Sequence, residues 1–331
     1  MPSAAVRPRR RRLRSLVPLL AVLTLIAIGF WRLQDIRDWV NLETYDPPTP
    51  VVNLADDIGL TASARRIFYV NRPQLQDRSE FNSSCNSLGE QTIVLGCYHP
   101  GQGGIYVFKV TDPRLNGVDQ VTAAHELLHA EYDRLGKKER DHIDTLLQSY
   151  YDTQLTDKRV KSVIDAYRKS EPNDVVNEMH SVFGTEIPNL PPELETYYAR
   201  YFKDRSKITS YASSYQAEFT SRQDQVSNDD AKLKAMKSQI DADSTELKSR
   251  EAQLTTLKQQ MDSQRSSGDV TAYNNNVPTY NAQADAYNSL LQTTKSLISS
   301  YNDLVAQRND LALQVTDLAH SIDSSFKPVK Q

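Results

Sequence analysis

The sequence predicts an α+β protein in three parts: an N-terminal transmembrane helix, a small domain with an antiparallel sheet and helices, and a long all-α coiled-coil hairpin. Three observations support this organisation. An uncharged, mostly apolar run occupies residues 16–31. Two strand-like segments joined by a glycine-rich turn precede a helical segment in the middle of the chain. Beyond residue 204, apolar residues recur every seven positions, which is the coiled-coil period.

The N-terminal region has the composition of a membrane anchor. An arginine-rich tail precedes the apolar run, which ends at Trp31, a residue favoured at membrane interfaces. Because basic flanks stay in the cytoplasm, we expect a cytoplasmic N-terminus and a single-pass protein whose remainder is extracytoplasmic. A cleaved signal peptide is the alternative, since Ala27 and Gly29 are small enough for a cleavage site. Both interpretations export the following domain.

Length and charge set the remaining organisation. The chain has 331 residues and a net charge of −3, so no nucleic-acid partner is expected. Three prolines, Pro47, Pro48 and Pro50, indicate a stiff spacer. The predicted segments are the basic tail (1–15), the anchor (16–31), the linker (32–50), the small domain (51–203) and the hairpin (204–331).

The predicted sheet lies ahead of the central helix. Residues 92–99 and 105–110 are rich in strand-forming residues and flank a turn that contains three glycines. Residues 67–70 are predicted to add a third strand. The two cysteines, Cys85 and Cys97, are close in sequence, and an exported domain favours one disulfide between them. Two buried free thiols are the alternative.

The central helical segment contains the most informative motif, His125-Glu126-Leu127-Leu128-His129. Two histidines four residues apart lie on one face of a helix, where both imidazoles can bind one zinc ion. Glu126 lies about 100° round the helix and can reach a water on the metal. Zinc-dependent hydrolysis uses this combination of a metal-activated water and a carboxylate base. The alternative is an amphipathic helix with two surface histidines.

Together with Asn177-Glu178 downstream, this motif resembles the zincin metallopeptidases of the gluzincin type. The resemblance covers roughly residues 60–190. It implies a zincin-like domain that binds Zn²⁺ through His125, His129 and Glu178, with Glu126 as the general base. It also implies that the chain hydrolyses peptide bonds in a peptide or protein substrate.

The chain departs from this family in one position. Gluzincins of the thermolysin kind carry Asp four residues after the ligand glutamate, where it orients a ligand histidine. Here that position is Val182, so the orienting group must come from elsewhere. His180 is the alternative third ligand. Because it lies two residues after Glu178, it points to nearly the opposite helix face.

The resemblance implies two further features. In zincins an edge strand ahead of the active-site helix pairs with extended substrate. We expect residues 105–110 to be that strand, with these substrate-binding residues: Ile105, Tyr106, Val107 and Phe108. A tyrosine on a later helix could hydrogen-bond the tetrahedral intermediate. Tyr197, Tyr198 and Tyr201 are candidates, and core or surface packing is the alternative for each.

The C-terminal region carries two heptad series. The first comprises Phe219, Val226, Leu233, Ile240, Leu247, Leu254 and Met261, and the second Leu290, Leu297, Leu304, Leu311 and Leu318. Gly268 lies in the break between them, which favours an antiparallel helical hairpin. A parallel dimer, in which each arm pairs with its twin from another chain, is the alternative.

These observations lead to one expected function and two alternatives. We expect a membrane-anchored, extracytoplasmic zinc metallopeptidase, with an envelope protein or the cell wall as partner of the coiled coil. The first alternative is an envelope scaffold or adhesion protein with a structural or vestigial zinc site. The second is a hydrolase that acts on a non-peptide amide in the envelope.

Overall fold

The structure is a computed structural model that describes residues 33–85, 95–101 and 104–325. The predicted basic tail and anchor (1–31) and the start of the first predicted strand (92–94) lie outside the described residues. Within the described ranges, no helix combines the length and apolarity needed to cross a bilayer.

The described chain is mostly helical with one small sheet, in agreement with the α+β prediction. Nine helices precede the hairpin in the described chain: α1 (Leu33–Glu43), α2 (Thr49–Ile58), α3 (Ala62–Val70), α4 (Arg78–Cys85), α5 (Val118–Asp133), α6 (Lys137–Thr153), α7 (Lys158–Ser170), α8 (Val175–Glu186) and α9 (Pro192–Tyr198). The strands are β1 (Gln74–Gln76), β2 (Gly96–His99) and β3 (Gly104–Phe108). The hairpin helices are α10 (Ser206–Ser267) and α11 (Val270–Ile322).

The chain divides into two compact units, residues 33–215 with 322–325 and residues 216–321. The division falls inside α10 rather than at the predicted boundary after residue 203. The reason is that the first turns of α10 belong to the core of the first unit, where Ile208 and Ala212 are fully buried.

The sheet differs from the predicted antiparallel one. Its order is β1-β3-β2, with β1 parallel and β2 antiparallel to β3, so the sheet is mixed. The prediction that the 105–110 strand lies at an edge is therefore wrong, because β3 is hydrogen-bonded on both sides. In the described part of the sheet, the edge strand beside the central helix is β2 instead.

The predicted third strand at residues 67–70 is also wrong, because those residues form the last turn of α3. The Thr61 hydroxyl accepts a hydrogen bond from Ala64 N and caps this helix. Phe68 then lies on the buried helix face, fully shielded from solvent. A short apolar run satisfies helix and strand periods equally well, and the cap decides between them.

Helix α5 crosses the centre of the first unit and is buried on most of its surface. Its small and apolar residues are fully buried: Ala123, Ala124, Leu127, Leu128 and Ala130. Helix α8 packs closely against it, and any side chain at Gly184 would meet Leu128 Cδ1, since a Cβ there would lie 2.5 Å away. This close packing fixes the spacing between the two helices.

A buried arginine holds the end of α8 in place. Arg205 donates hydrogen bonds to the carbonyl oxygens of Ile187 (2.6 Å) and Pro188 (3.2 Å). Its guanidinium also pairs with the Glu195 carboxylate, with Nε 3.0 Å from Oε2. These bonds occupy the backbone acceptors that follow the helix and neutralise the buried charge.

A disulfide joins α4 to the sheet. Cys85 ends α4 and Cys97 lies in β2, and the two sulfur atoms are bonded with their Cα atoms 6.0 Å apart. The segment that follows the hairpin also contacts α4. There, Asn82 Nδ2 donates to the carbonyl oxygen of Ser324 (2.8 Å). Both α4 and β2 are thereby tied to the same unit.

The second unit is an antiparallel helical hairpin. Gly268, between the arms, has a left-handed φ of 77° that only glycine adopts without strain. Side-chain hydrogen bonds cross between the arms from Asn276 to Gln264 (3.1 Å), Thr294 to Asp243 (3.2 Å), Arg308 to Asp230 (2.8 Å) and Arg222 to Gln314 (3.1 Å). Residue numbers rise along one arm as they fall along the other, which is the antiparallel pattern.

Replacing Arg205 by Ala should lower the free energy of unfolding of the first unit by about 3 kcal/mol, because the Glu195 carboxylate and several carbonyls lose their buried donor. Urea unfolding followed by near-ultraviolet circular dichroism measures the loss. The matched control is Arg250→Ala, whose surface pair with Glu246 should contribute less than about 1 kcal/mol. Equal losses in the two variants would contradict the account of Arg205.

Candidate metal centre

Two helices bring three ligand side chains together. Helix α5 presents His125 and His129, four residues apart on one face, and α8 presents Glu178. The two histidine Nε2 atoms are 3.0 Å apart. Glu178 Oε2 lies 3.6 Å from His125 Nε2, and Oε1 lies 3.5 Å from His129 Nε2. Within the described chain this is the one group of His, Cys, Asp or Glu side chains arranged to hold a metal ion.

The spacing and the donor types fit zinc. Bonds of 2.0–2.2 Å in a tetrahedron place neighbouring ligand atoms about 3.3 Å apart, close to the separations found here. Glu178 Oε2 is buried and has no hydrogen-bond partner, which a bound cation would satisfy. Two imidazoles and one carboxylate are a ligand set of catalytic zinc sites, whereas structural sites use four protein ligands.

The neighbouring charges favour an ionised Glu178. Burial alone raises its pKa, but the charges of His129 and His125 outweigh burial and lower it. Tyr167 also donates a hydrogen bond to this carboxylate. The carboxylate form is the one that binds metal ions.

The pKa of His125 shifts in the opposite direction. Burial lowers it, yet the carboxylates of Glu178 and Glu126 raise it to about 9. Without metal, the His125 ring is therefore protonated on both nitrogens and positively charged at neutral pH. A metal ion displaces one of those protons when it binds.

Asn177 supplies the group that orients a ligand histidine. Its Oδ1 lies 3.0 Å from His129 Nδ1, so His129 donates from Nδ1 and keeps Nε2 available for the metal. Asn177 Nδ2 donates in turn to Asp174 Oδ1 at 3.2 Å. The position that carries the orienting Asp in the thermolysin kind, Val182, is buried in the core. The sequence motif includes Asn177, but the sequence alone does not indicate that this residue orients His129.

Glu126 lies beside the ligands but outside the ligand group. Burial raises its pKa, against the lowering effect of His129 and His125. The backbone of β2 runs against this carboxylate at Gly96, where a Cβ would lie 2.5 Å from Glu126 Oε1 and 2.6 Å from Thr122 Cγ2. A glycine is needed here because any side chain would displace Glu126.

The structure brings Glu178, and not His180, to the two histidines. His180 is fully buried, and its Nε2 lies 2.9 Å from the Tyr197 hydroxyl. Burial, followed by the charges of His129 and His125, lowers the pKa of His180 to about 3, so its ring is neutral. It occupies the helix face away from the ligands, as the two-residue offset from Glu178 predicts.

The three candidate tyrosines lie in the core. The Tyr198 hydroxyl donates to the His180 carbonyl oxygen at 2.7 Å, and the Tyr201 hydroxyl donates to that of Tyr197 at 2.9 Å. All three are buried, and none lines the cavity beside the ligands. Their role is packing and hydrogen bonding within the first unit.

A cavity of about 380 Å³ opens onto the ligands, and we call it the metal cleft. Strand β2 and the residue before it form one wall, and α5, α8, the end of α7 and Tyr215 of α10 form the others. Tyr98 and Tyr167 line it, as do carboxylates of α5, of α8 and of the segment between α7 and α8. Sequence reasoning missed these wall residues, because they are far apart in the chain and follow no common pattern.

Glu171 lines the metal cleft together with Glu178 and Asp174. Burial raises its pKa, and the negative charges of Glu178 and Asp174 raise it further. The cleft is therefore a site of concentrated negative charge.

No known family model, curated protein or solved structure matches this chain. Function must be inferred from the chemistry of the site itself.

Asn177→Ala should weaken zinc binding by about 10–100-fold while the fold is kept, because His129 loses the acceptor that fixes its ring. Competition with a chromogenic chelator measures the affinity. Asn177→Asp is the comparison variant: it keeps an acceptor for His129 but loses the donor to Asp174, and it should bind zinc more tightly than Asn177→Ala does. Wild-type affinity in Asn177→Ala would exclude the orienting role.

Proposed function

We propose that the chain is a zinc metallopeptidase of the gluzincin type. The observation that carries this proposal is the convergence of His125, His129 and Glu178 beside Glu126 in one cleft. Zinc is the metal that this donor set fits best. A structural or vestigial site would not need a buried carboxylate that lies outside the ligand group, nor an open cleft beside it.

Each side chain then has a distinct role in hydrolysis. Zinc, when bound, supplies a Lewis acid that polarises the scissile carbonyl and activates water. Glu126 accepts the proton of the attacking water and passes it to the leaving amine nitrogen. Its position suits this exchange, because Glu126 is buried in the cleft beside the ligands without belonging to the ligand group. His125, His129 and Glu178 hold the metal.

Strand β2 supports a peptide rather than another amide as substrate. It is an edge strand of the described sheet, and it lies along the wall of the metal cleft. An extended peptide can add to such an edge through backbone hydrogen bonds. The disulfide at Cys97 fixes this strand to α4. A non-peptide amide gains nothing from an unpaired strand edge.

Helix α1 supports a membrane anchor ahead of the catalytic unit. It begins two residues after the apolar run that ends at Trp31. On one face it exposes Ile36, Trp39 and Val40, which are 51%, 62% and 44% accessible. An apolar face with a tryptophan suits the membrane interface. We propose that the anchor leaves the N-terminus in the cytoplasm and the catalytic unit outside.

The hairpin supports a second contact in the envelope. Its second arm, α11, exposes large apolar side chains at Val270, Ile298 and Leu313. We propose that an envelope protein or the cell wall binds this unit and so localises the peptidase.

Glu126→Gln should retain zinc and the fold but lower peptide hydrolysis by about 10³-fold, because an amide cannot accept the proton of water. The assay incubates the zinc-loaded full chain, in detergent, with a broad peptide library and detects cleavage by mass spectrometry. Glu131→Gln, on the same helix and outside the metal cleft, is the matched control and should cleave normally. Undiminished cleavage by Glu126→Gln would reject it as the base, and no cleavage by the wild type would reject the peptidase.

A further inference from the structure

The metal cleft is lined by an excess of negative charge. Among the described residues its walls carry no lysine or arginine. They carry six carboxylates: Glu126, Asp133, Glu171, Asp174, Glu178 and Glu186. This composition exceeds what one metal ion requires.

The excess of negative charge remains after the carboxylates with a cationic partner are subtracted. A bound dication is balanced by Glu126 and Glu178, and Glu186 forms an ion pair with Arg159 at 2.6 Å. Asp133, Glu171 and Asp174 remain, and none of them has an ion pair to a lysine or arginine among the salt bridges of the described chain.

The positions of two of these carboxylates strengthen the field. Asp133 is the last residue of α5, and Glu171 caps the C-terminus of α7. Helix C-termini carry partial negative charge, so both side chains add to a potential that is already negative. The buried Glu178 Oε2, which has no hydrogen-bond partner, shows that the same cleft is built to receive a cation.

Aromatic side chains complete a surface suited to organic cations. Tyr98, Tyr167 and Tyr215 line the metal cleft, and the Tyr98 hydroxyl hydrogen-bonds to Asp133. Tyrosine rings bind ammonium and guanidinium groups through their faces. The combination of tyrosines with carboxylates that lack a lysine or arginine partner is the chemistry that recognises Lys and Arg side chains.

We propose that the metal cleft selects peptides with basic side chains close to the scissile bond. This specificity rests on the proposed peptidase function. Asp133, Glu171 and Asp174 are the specificity-determining residues, and they act by attracting and holding the lysine or arginine of the substrate. An acidic peptide is excluded by the same charges.

Binding tests this selectivity apart from catalysis. The zinc-loaded full-length Glu126→Gln chain is titrated against three fluorescent peptides of equal length, rich in Lys and Arg, in Glu and Asp, or in Ser and Ala. We expect the basic peptide to bind at least about tenfold more tightly than the neutral one at low salt, with the advantage falling as salt is raised.

Charge-matched variants separate the cleft from the net charge of the chain. In the same Glu126→Gln background, Glu171→Gln with Asp174→Asn should abolish most of the preference for the basic peptide. Asp141→Asn with Asp152→Asn changes the net charge equally, on the exposed surface of α6, and should retain the preference. A preference lost equally in both double variants, or absent in the parent, overturns the proposal.

Hydrolysis by the chain with Glu126 intact distinguishes the two proposals. If peptides are cleaved with equal kcat/KM whatever their charge, and bind equally, the selectivity is wrong and the peptidase stands. If no peptide is cleaved, the peptidase fails, and the binding result alone decides whether the cleft prefers cations.

Discussion

The site depends on one packing contact, that between α5 and α8. Neither helix carries a complete ligand set, so the metal centre exists only where the two approach closely. Gly184 allows that approach by leaving room for Leu128, and Arg205 fixes the end of α8 through the carbonyls of Ile187 and Pro188. Core packing therefore sets the distance between the imidazoles and Glu178.

The same contact also orients the ligands. Asn177 and Glu178 are neighbours on α8, and one reaches His129 Nδ1 while the other faces its Nε2. A small rotation of α8 would disturb both interactions together. Strand β2 constrains Glu126, because the strand backbone at Gly96 lies directly against the Glu126 carboxylate. The disulfide holds β2 against α4. The proposed ligands, base and substrate edge are thus positioned by separate parts of one core.

Local patterns made part of this structure predictable from the sequence. The histidine spacing of α5, the heptads and the break at Gly268 all report on neighbours within a few turns of helix, and the helices formed as expected. The sheet was predicted less well, because β1 has only three residues and pairs in parallel with a distant strand. Its presence places β3 in the centre and β2 at the edge, which no periodicity in the sequence indicates.

Tertiary contacts determine the remaining features of the site. The role of Asn177 depends on the distance between two helices that are about fifty residues apart in sequence. The acidity of the cleft depends on side chains at the ends of three helices, which meet only in the folded chain. Elsewhere in the sequence, Asp133 or Glu171 would be an ordinary surface carboxylate.

The most direct test of the metal centre is a zinc anomalous-difference map from crystals of the zinc-loaded full-length protein. We predict one strong peak bonded to His125 Nε2, His129 Nε2 and a Glu178 oxygen at about 2.0–2.2 Å, with the fourth position facing the cleft and held by no protein atom. A peak closed by four protein ligands would contradict the catalytic assignment. Zinc bound elsewhere, with Glu178 remote from both imidazoles, would contradict the site itself.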